Sequence, residues 1–199
     1  AITASCIVMP KSSTLTSACS SATPIQAPPG APSVITGRPS SNTSVGDIDG
    51  DGFVEYTRRS REGLVQQGWK DSQDSVFHRD GRLADPPIAL CEVQAYVYEA
   101  RLMAAELARH LGDTALALHL QAQADDLKQR FDQAFWCEDI GTYAIALDGA
   151  KQQCKVASSN AGHVLWTGLA MANRAPQVVR RLMDDDSFSG WGIRTIARG

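Results

Sequence analysis

The sequence has no long apolar run and no excess of basic residues. Among its 199 residues, no apolar stretch approaches the roughly 18–20 residues that a transmembrane helix needs. Lys and Arg number 19 against 22 Asp and Glu, which gives a formal net charge of −3. Nucleic-acid-binding domains usually carry a basic patch instead. We therefore expect a protein that binds neither a membrane nor a nucleic acid.

Cysteine is sparse and scattered. The five cysteines form no CxxC pair, which argues against a zinc site and against a dense disulfide framework. The first residues, AITASCIVMPK, lack the charged and apolar regions of a signal peptide. We expect a cytoplasmic protein that needs no cofactor.

The first 45 residues contain no acidic and no aromatic side chain. They hold 10 Ser, 6 Thr and 6 Pro but only two basic residues. Such a segment cannot bury enough apolar surface to offset its chain entropy, so residues 1–45 are expected to be disordered. All 22 acidic residues lie in 46–199 and the change in composition at Gly46 is abrupt. A reading-frame error in the gene is therefore an equal alternative to a natural linker.

From Gly46 onward the composition is that of a globular domain, and its apolar periodicity predicts mostly helices. An apolar stripe at i, i+4, i+7 spacing between Ala89 and Leu111 predicts a first long helix. Two prolines, Pro86 and Pro87, are expected to occupy its first turn.

The link after this helix carries two capping signals. Gly112 is a natural C-terminal cap and Asp113 a natural N-cap, so a second helix should pack back on the first as an αα-hairpin. Two more helices, one short helix and two extended segments complete the expectation. The predicted ranges are 114–135, 160–173 and 176–184 for the later helices, 64–77 for the short helix, and 53–57 and 142–147 for the extended segments.

Three aspartates at alternating positions and a glycine at the sixth position match the first half of a calcium-binding loop. These residues are Asp47, Asp49, Asp51 and Gly52. The twelfth position, which carries a bidentate Glu in such loops, is Arg58, whereas Glu55 could supply an oxygen at the ninth. We expect no metal here; weak calcium binding is the alternative to carboxylates that only accept backbone N–H bonds.

The stretch QQGWKDSQDS places an aromatic ring between amides and carboxyl groups, as a sugar site requires. Trp69 could stack on the apolar face of a pyranose, while Gln66 and Gln67 could bind its hydroxyls. Asp71 or Asp74 could transfer a proton to or from a glycosidic oxygen. A surface turn with a half-buried tryptophan is the alternative on composition alone.

Four further side chains are candidates for the same kind of site, each with a structural alternative. Glu92 near a helix start is favoured by the helix dipole but could also bind hydroxyls. His163 could be a packing residue or a ligand-binding one. Trp191 and Arg194, within FSGWGIR, could line a pocket or form only a tight turn.

Taken together, these motifs are more specific than any one of them. The run GDGFVEYTRRSREGLVQQGWKDSQDSVFHRDGRLADPPIALCEVQAYVYEA, followed by SSNAGHVLW and FSGWGIRT, resembles the bacterial amylo-α-1,6-glucosidase (glycogen debranching enzyme-like) family. That family shares its catalytic domain with mannosylglycerate hydrolase-like and other six-hairpin glycosidases. The resemblance implies an all-α fold: a partial (α/α)6 toroid over residues 46–199, with the active site at the inner helix ends.

The resemblance also implies roles for particular residues. The general acid of an inverting glycosidase would be Asp71, with Asp74 as second choice, and the base would lie beyond Gly199. The substrate is then an α-glucosidic oligosaccharide or glycogen-like glucan. The side chains expected to contact it are Glu55, Gln67, Trp69, Glu92, His163, Trp191 and Arg194.

Two other classes of protein are alternatives to a glycosidase. The segment AELARHLGDTALALHLQAQADDLKQRFDQAF resembles one tetratricopeptide-like unit, which would suit a non-catalytic interaction module. No second copy follows at ~34 residues, although repeat stacking needs about three. A calcium-dependent carbohydrate-binding or dockerin-like module is disfavoured by Arg58.

Overall fold

Four α-helices and five two-residue β-strands make up the regular structure of residues 46–198, the part of the chain that this computed structural model describes. The helices are α1 (Cys91–His110), α2 (Thr114–Phe135), α3 (Ala161–Trp166) and α4 (Ala175–Met183). The strands are β1 (Ala89–Leu90), β2 (Trp136–Cys137), β3 (Thr142–Tyr143), β4 (Ala146–Leu147) and β5 (Gln153–Cys154). The expected disorder of residues 1–45 lies outside the described residues.

The two long helices form the predicted hairpin. The Asp113 side chain accepts the backbone N–H of Leu116 at 2.9 Å and so caps α2. Gly112 has a φ of +80°, a left-handed conformation in which glycine carries no steric penalty. The bounds of α2 match the sequence prediction because both capping signals are local.

Aromatic side chains at the end of α2 form the centre of the larger core. The rings of Phe131 and Phe135 stack with centroids 4.5 Å apart. Tyr143 of β3 packs on Phe131 at 5.0 Å, and Phe53 meets Phe135 edge-on at 5.3 Å. The segment that follows Gly46 is thereby held against the hairpin.

Two small antiparallel sheets connect the helices, so the all-α class is not confirmed. In the first sheet, of order β1-β4-β5, Ala89 pairs with Leu147. In the second sheet β2 pairs with β3, Trp136 facing Tyr143. The short apolar strands are completely or largely buried, and they carry the chain from the end of α2 back to the start of α1.

The expected helix start at Pro86 and Pro87 is wrong. Ile88 exchanges both backbone hydrogen bonds with Tyr56, at 2.9 and 3.1 Å. This pairing, followed by β1, keeps the chain extended as far as Leu90, and α1 begins only at Cys91. A strand partner far away in sequence therefore overrides the local proline signal.

The other predicted elements agree with the structure to different degrees. α3 ends after Trp166 and is followed by Gly168 with a φ of +77°, which stops a helix that the apolar pattern would extend to residue 173. α4 agrees with its expected range to within one residue at each end. Residues 64–77 form turns rather than a helix, and only Tyr56 of the expected extended segment 53–57 forms a bridge.

The apolar stripe of α1 does not face the core. Met103, Leu107 and Leu111 are exposed to 63%, 59% and 76%. The buried face of the helix carries mainly small side chains: Ala95, Tyr98, Ala105 and Ala108. Alanines let two helix backbones approach closely, which explains why the larger side chains lie on the other face. Among the described helices, none combines the length and the apolarity needed to cross a bilayer.

Enlarging a side chain on each face of α1 tests this orientation. Ala105→Leu should lower the free energy of unfolding by about 1–3 kcal/mol, because Ala105 is completely buried and a larger side chain would overpack the hairpin. Ala104→Leu, on the neighbouring exposed position, should change it by less than about 0.5 kcal/mol. Urea denaturation followed by far-UV circular dichroism measures both. The reverse order of effects would mean that the apolar stripe faces the core.

Candidate active site

The loop that carries the predicted acid lies against the N-terminal end of α1. The Trp69 backbone N–H donates to Glu92 Oε1 at 3.3 Å. A Cβ atom on Gly68 would lie 3.0 Å from Glu92 Oε1 and closer still to Leu90 Cδ1. Glycine allows this close approach, because a side chain at position 68 would force the buried Leu90 side chain or the loop to move.

Glu92 supports this loop from beneath. Its side chain is buried, with 1% of the residue exposed, and Oε2 lies 3.7 Å from the Cys91 thiol, which donates to it. Burial, reinforced by the adjacent carboxylate, raises the pKa of the Cys91 thiol well above its ordinary value. The structure thus places Glu92 next to Trp69, with the carboxylate covered by the loop.

An aromatic cluster, formed by Trp69, Tyr96 and His163, opens beside the loop. The Trp69 ring is 67% exposed, and its centroid lies 5.7 Å from that of His163. The Tyr96 hydroxyl and His163 Nδ1 share a hydrogen bond at 2.9 Å. Burial raises the pKa of Tyr96, and the negative charge of Glu92 adds to the effect, so the phenol stays protonated. Tyr96 belongs to the cluster although the sequence analysis did not select it.

Lys70 is a second residue that the sequence analysis missed. Its ammonium group donates to Asn160 Oδ1 and, at 3.2 Å, to Ser159 Oγ, just before α3. Burial lowers the pKa of Lys70, while the charge of Glu92 acts in the opposite direction. The only signal in the sequence is its position between Trp69 and an acid.

A cleft of about 310 Å³ opens on the Lys70 side of the loop. Asp74 lines it, whereas Asp71 is exposed and is not part of its lining. The Ser159 N–H donates to Thr195 O at 3.1 Å, which holds the opposite wall in place. The lining consists of Lys70, Ser72, Asp74, Ser75, Phe77, Thr195 and Ile196. We call this space the lysine cleft.

The two neighbouring glutamines of the loop have opposite environments. Gln66 is buried and accepts a hydrogen bond from the Tyr56 hydroxyl, so it is a structural residue. Gln67 is exposed, and its amide makes only long contacts, 3.4 Å to Leu64 O and 3.5 Å to Thr57 O. Of the two, Gln67 is the one that is available to a ligand.

The loop near the end of the described chain is closed by a bridge between Phe188 and Ile193. At its tip Trp191 is 99% exposed, so the structure does not bring its ring into the aromatic cluster. The Arg194 backbone N–H donates to Ser187 O at 2.8 Å. Its Nε is buried and finds no hydrogen-bond partner within residues 46–198.

Glu55 lies with the aspartate-rich loop and not with the aromatic cluster. It accepts the Ile48 N–H at 3.3 Å, and carboxylate oxygens of Asp47, Asp49 and Glu55 lie within 4.8 Å of one another. The sequence placed Glu55 both at the ninth position of this loop and at the sugar site. The contacts of Glu55 in the structure are those of the loop.

The ammonium group of Lys151 lies at the centre of this loop. Its Nζ is 2.7 Å from carboxylate oxygens of both Asp49 and Asp51, and it also contacts Glu55. Although burial acts to lower it, hydrogen bonds to these acids raise the pKa of Lys151 above its ordinary value. The Lys151 hydrogen bond likewise lowers the pKa of Asp49. A side chain of the protein therefore supplies the positive charge that a calcium ion would bring.

The three cysteines among the described residues do not supply a nucleophile. Cys91, Cys137 and Cys154 are free and buried. Burial raises the pKa of Cys137 to about 11 and that of Cys154 to about 12. Because the thiolate is the reactive form, these thiols are inert at neutral pH.

The chain matches the model of the mannosylglycerate hydrolase MGH1-like glycoside hydrolase domain over residues 5–199. It belongs to this family. Membership confirms the six-hairpin glycosidase resemblance that the GWKDS, SSNAGHVLW and FSGWGIRT motifs carry, and the match starts well before Gly46. A search of curated proteins finds no match to the chain.

Solved structures of two longer proteins share the fold of this glycoside hydrolase domain. Neutral trehalase Nth1 from Saccharomyces cerevisiae aligns over 56% of the chain, with 16% identity and a TM-score of 0.50. A sialidase aligns over 71% of the chain, with 20% identity and a TM-score of 0.55. The chain spans only 22% and 13% of their respective lengths.

Lys151→Gln removes the positive charge from the aspartate-rich loop and should lower the melting temperature. The folded-state pKa of Asp49 is lowered, so its contribution is fully present above the unfolded value of about 3.9 and is lost as the pH falls through the lower folded-state pKa. The raised pKa of Lys151 keeps its contribution present up to at least its unfolded value of about 10.4. The deficit should therefore be largest between about pH 5 and 9 and shrink as the pH falls below about 4, as measured by thermal shift.

Calcium separates the role of the ammonium group from that of a metal. Neither CaCl2 nor a chelator should move the melting temperature of the wild-type protein, whereas calcium should partly restore Lys151→Gln. Lys155→Gln, which removes an ammonium group 3.2 Å from exposed Asp139, is the matched control and should respond to neither pH nor calcium. Stabilisation of the wild-type protein by calcium would instead make this loop a calcium site.

Proposed function

We propose that the whole protein is a glycosidase that cuts α-glucosidic bonds in oligosaccharides or glycogen-like glucans, with Asp71 as its general acid. One observation carries the proposal. An exposed indole, Trp69, is fixed by its backbone on buried Glu92 and stands two residues before an exposed carboxyl group. A pyranose stacked on that indole would place its glycosidic oxygen near Asp71, which can protonate the leaving oxygen.

The aromatic cluster would hold the sugar whose bond is cut. Trp69 would contact the apolar face of the ring, and His163, oriented by its hydrogen bond to Tyr96, would contact the edge. The exposed amide of Gln67 would bind a hydroxyl group. In this proposal Glu92 does not contact the sugar; it positions Trp69 by accepting a hydrogen bond from the Trp69 backbone N–H.

Two further predicted contacts lie on the loop around residue 191. Trp191, whose ring projects into solvent, would contact an outer unit of a longer oligosaccharide. The Arg194 guanidinium would donate to the substrate through its terminal N–H groups, because its Nε is buried. Glu55 has no part in this site because Lys151 and the aspartate-rich loop occupy its carboxylate.

We infer that the described helices are part of a larger (α/α)6 toroid. The exposed apolar stripe of α1 would then pack against a neighbouring hairpin of the same toroid. The general base of an inverting mechanism would come from chain beyond Gly199, facing Asp71 across the sugar at about 6.5–9.5 Å to leave room for water. The small shares of the trehalase and sialidase chains that align support this inference.

A cytoplasmic location completes the proposal, and the free, buried thiols are compatible with a reducing compartment. The alternative of a tetratricopeptide-like interaction module has less support. Within residues 46–198, the α1–α2 hairpin is followed by small sheets and short helices rather than by a second similar hairpin.

The assignment of the general acid is tested in a protein that contains the complete catalytic domain. Asp71→Asn keeps the shape of the side chain but removes the transferable proton, so kcat on an ordinary α-glucoside should fall by about 10²–10⁴-fold. The loss should shrink on a glycosyl fluoride, since a good leaving group needs little protonation. Steady-state kinetics on both substrates measures this rescue.

Asp74→Asn is the matched control, three residues away in the same loop. It should mainly raise KM and show no dependence on the leaving group. If Asp74→Asn alone is rescued by the fluoride, then the acid is Asp74. If neither variant responds to the leaving group, both carboxylates have other roles and the donor lies elsewhere in the protein.

The 199-residue chain by itself should bind oligosaccharides without hydrolysing them, because the proposal places the base beyond its last residue. Product release from maltooligosaccharides, followed by chromatography at high protein concentration, should stay at the level of the buffer. Turnover that Asp71→Asn abolishes would place the base within this chain and overturn that part of the proposal.

A further inference from the structure

The lysine cleft combines an apolar wall with a polar rim. Phe77 and Ile196 pack on the smaller core cluster and form a fixed apolar wall. The ammonium group of Lys70, the carboxylate of Asp74 and the hydroxyl of Thr195 provide donors and acceptors around it. Such a mixture matches a pyranose, which has apolar C–H faces and a rim of hydroxyl groups.

The volume of the cleft restricts the size of its occupant. At about 310 Å³ it lies at the lower end of the roughly 300–1,000 Å³ of small-molecule sites. One sugar ring suits this space better than an extended chain does.

Lys70 has a donor left for a ligand. An ammonium group has three N–H donors. Two of those of Lys70 are directed at Ser159 and Asn160. With these two bonds in place, the third N–H remains for the cleft. The exposed carboxylate of Asp74 supplies an acceptor in the same space.

The lysine cleft and the aromatic cluster are neighbours. Lys70 binds Asn160, the residue before α3, while Trp69 contacts His163 within that helix. Three residues of helix correspond to a rise of about 4.5 Å. Trp69 and Lys70 are also consecutive residues, so the two surfaces flank the loop that continues to Asp71.

We propose that the lysine cleft is a second sugar subsite, in which Lys70 donates to and Asp74 accepts from hydroxyl groups of the unit next to the sugar on Trp69. The proposal rests on the proposed function and adds that the substrate is at least a disaccharide. It also gives Asp74 a binding role that is distinct from proton transfer by Asp71.

Binding of one-ring and two-ring probes to the 199-residue chain tests the subsite. Methyl α-D-glucopyranoside would occupy the aromatic cluster alone, whereas maltose would also reach the lysine cleft. Dissociation constants come from ¹H–¹⁵N NMR titrations, whose spectra also report folding. Maltose should bind at least about tenfold more tightly, the equivalent of one hydrogen bond to a charged group.

Asp74→Asn and Thr195→Val, both at exposed positions, should remove most of this tenfold gain and leave the affinity for methyl α-D-glucopyranoside unchanged. Lys70→Met should also remove the gain, but because it breaks the contact with Asn160 that holds the loop, it should weaken the binding of both probes. Lys70→Arg should retain part of the gain. Asp185→Asn, an exposed carboxylate outside the cleft lining, is the control and should change neither constant. Trp69→Ala should weaken the binding of both probes.

Three outcomes would overturn the subsite. If maltose binds no better than methyl α-D-glucopyranoside, or if the gain survives both Asp74→Asn and Thr195→Val, the lysine cleft holds no sugar while the proposed function stands. If neither probe binds the wild-type chain, the proposed function fails together with the subsite.

Discussion

The buried carboxylate of Glu92 is the contact on which the rest of the candidate site depends. A carboxylate with almost no solvent exposure is costly unless hydrogen bonds or opposite charge compensate it. Here the Trp69 N–H and the Cys91 thiol donate to it, and the ammonium group of Lys70 is close enough for the charge of Glu92 to affect its pKa. Glu92 lies in the first turn of α1, where the positive end of the helix dipole stabilises a negative charge. Helix, loop and ammonium group are therefore fixed together.

How much of the fold could be predicted depended on how far apart in the sequence the interacting residues are. The cap at Asp113 and the turn at Gly112 depend only on neighbouring residues, and the range of α2 was predicted correctly. The start of α1 depends on pairing between Ile88 and Tyr56, 32 residues earlier, which no local pattern contains. The apolar stripe of α1 correctly indicates a helix, but periodicity cannot say which partner covers it.

The same rule applies to the candidate site. The aromatic ring of Trp69 and the carboxyl group of Asp71 lie in one short sequence motif, so both could be predicted. The contact between Lys70 and Asn160, 90 residues apart, and the hydrogen bond between Tyr96 and His163 exist only after folding. Glu55 was assigned two roles by the sequence, and the position of the Lys151 ammonium group decided between them.

Gly68 divides the loop into two parts with different freedom to change. On one side, Gln66 is buried and Gly68 lies so close to Leu90 and Glu92 that a side chain there would force Leu90 or the loop to move. On the other side, the side chains of Trp69, Asp71, Ser72, Gln73 and Asp74 are exposed, whereas Lys70 is half-buried and bound to Asn160. An engineer who wishes to change sugar preference would therefore vary Ser72, Gln73 and Asp74 and keep the first part, Lys70 and the proposed acid Asp71 constant, since new binding surfaces are sampled there without loss of the scaffold or of the acid.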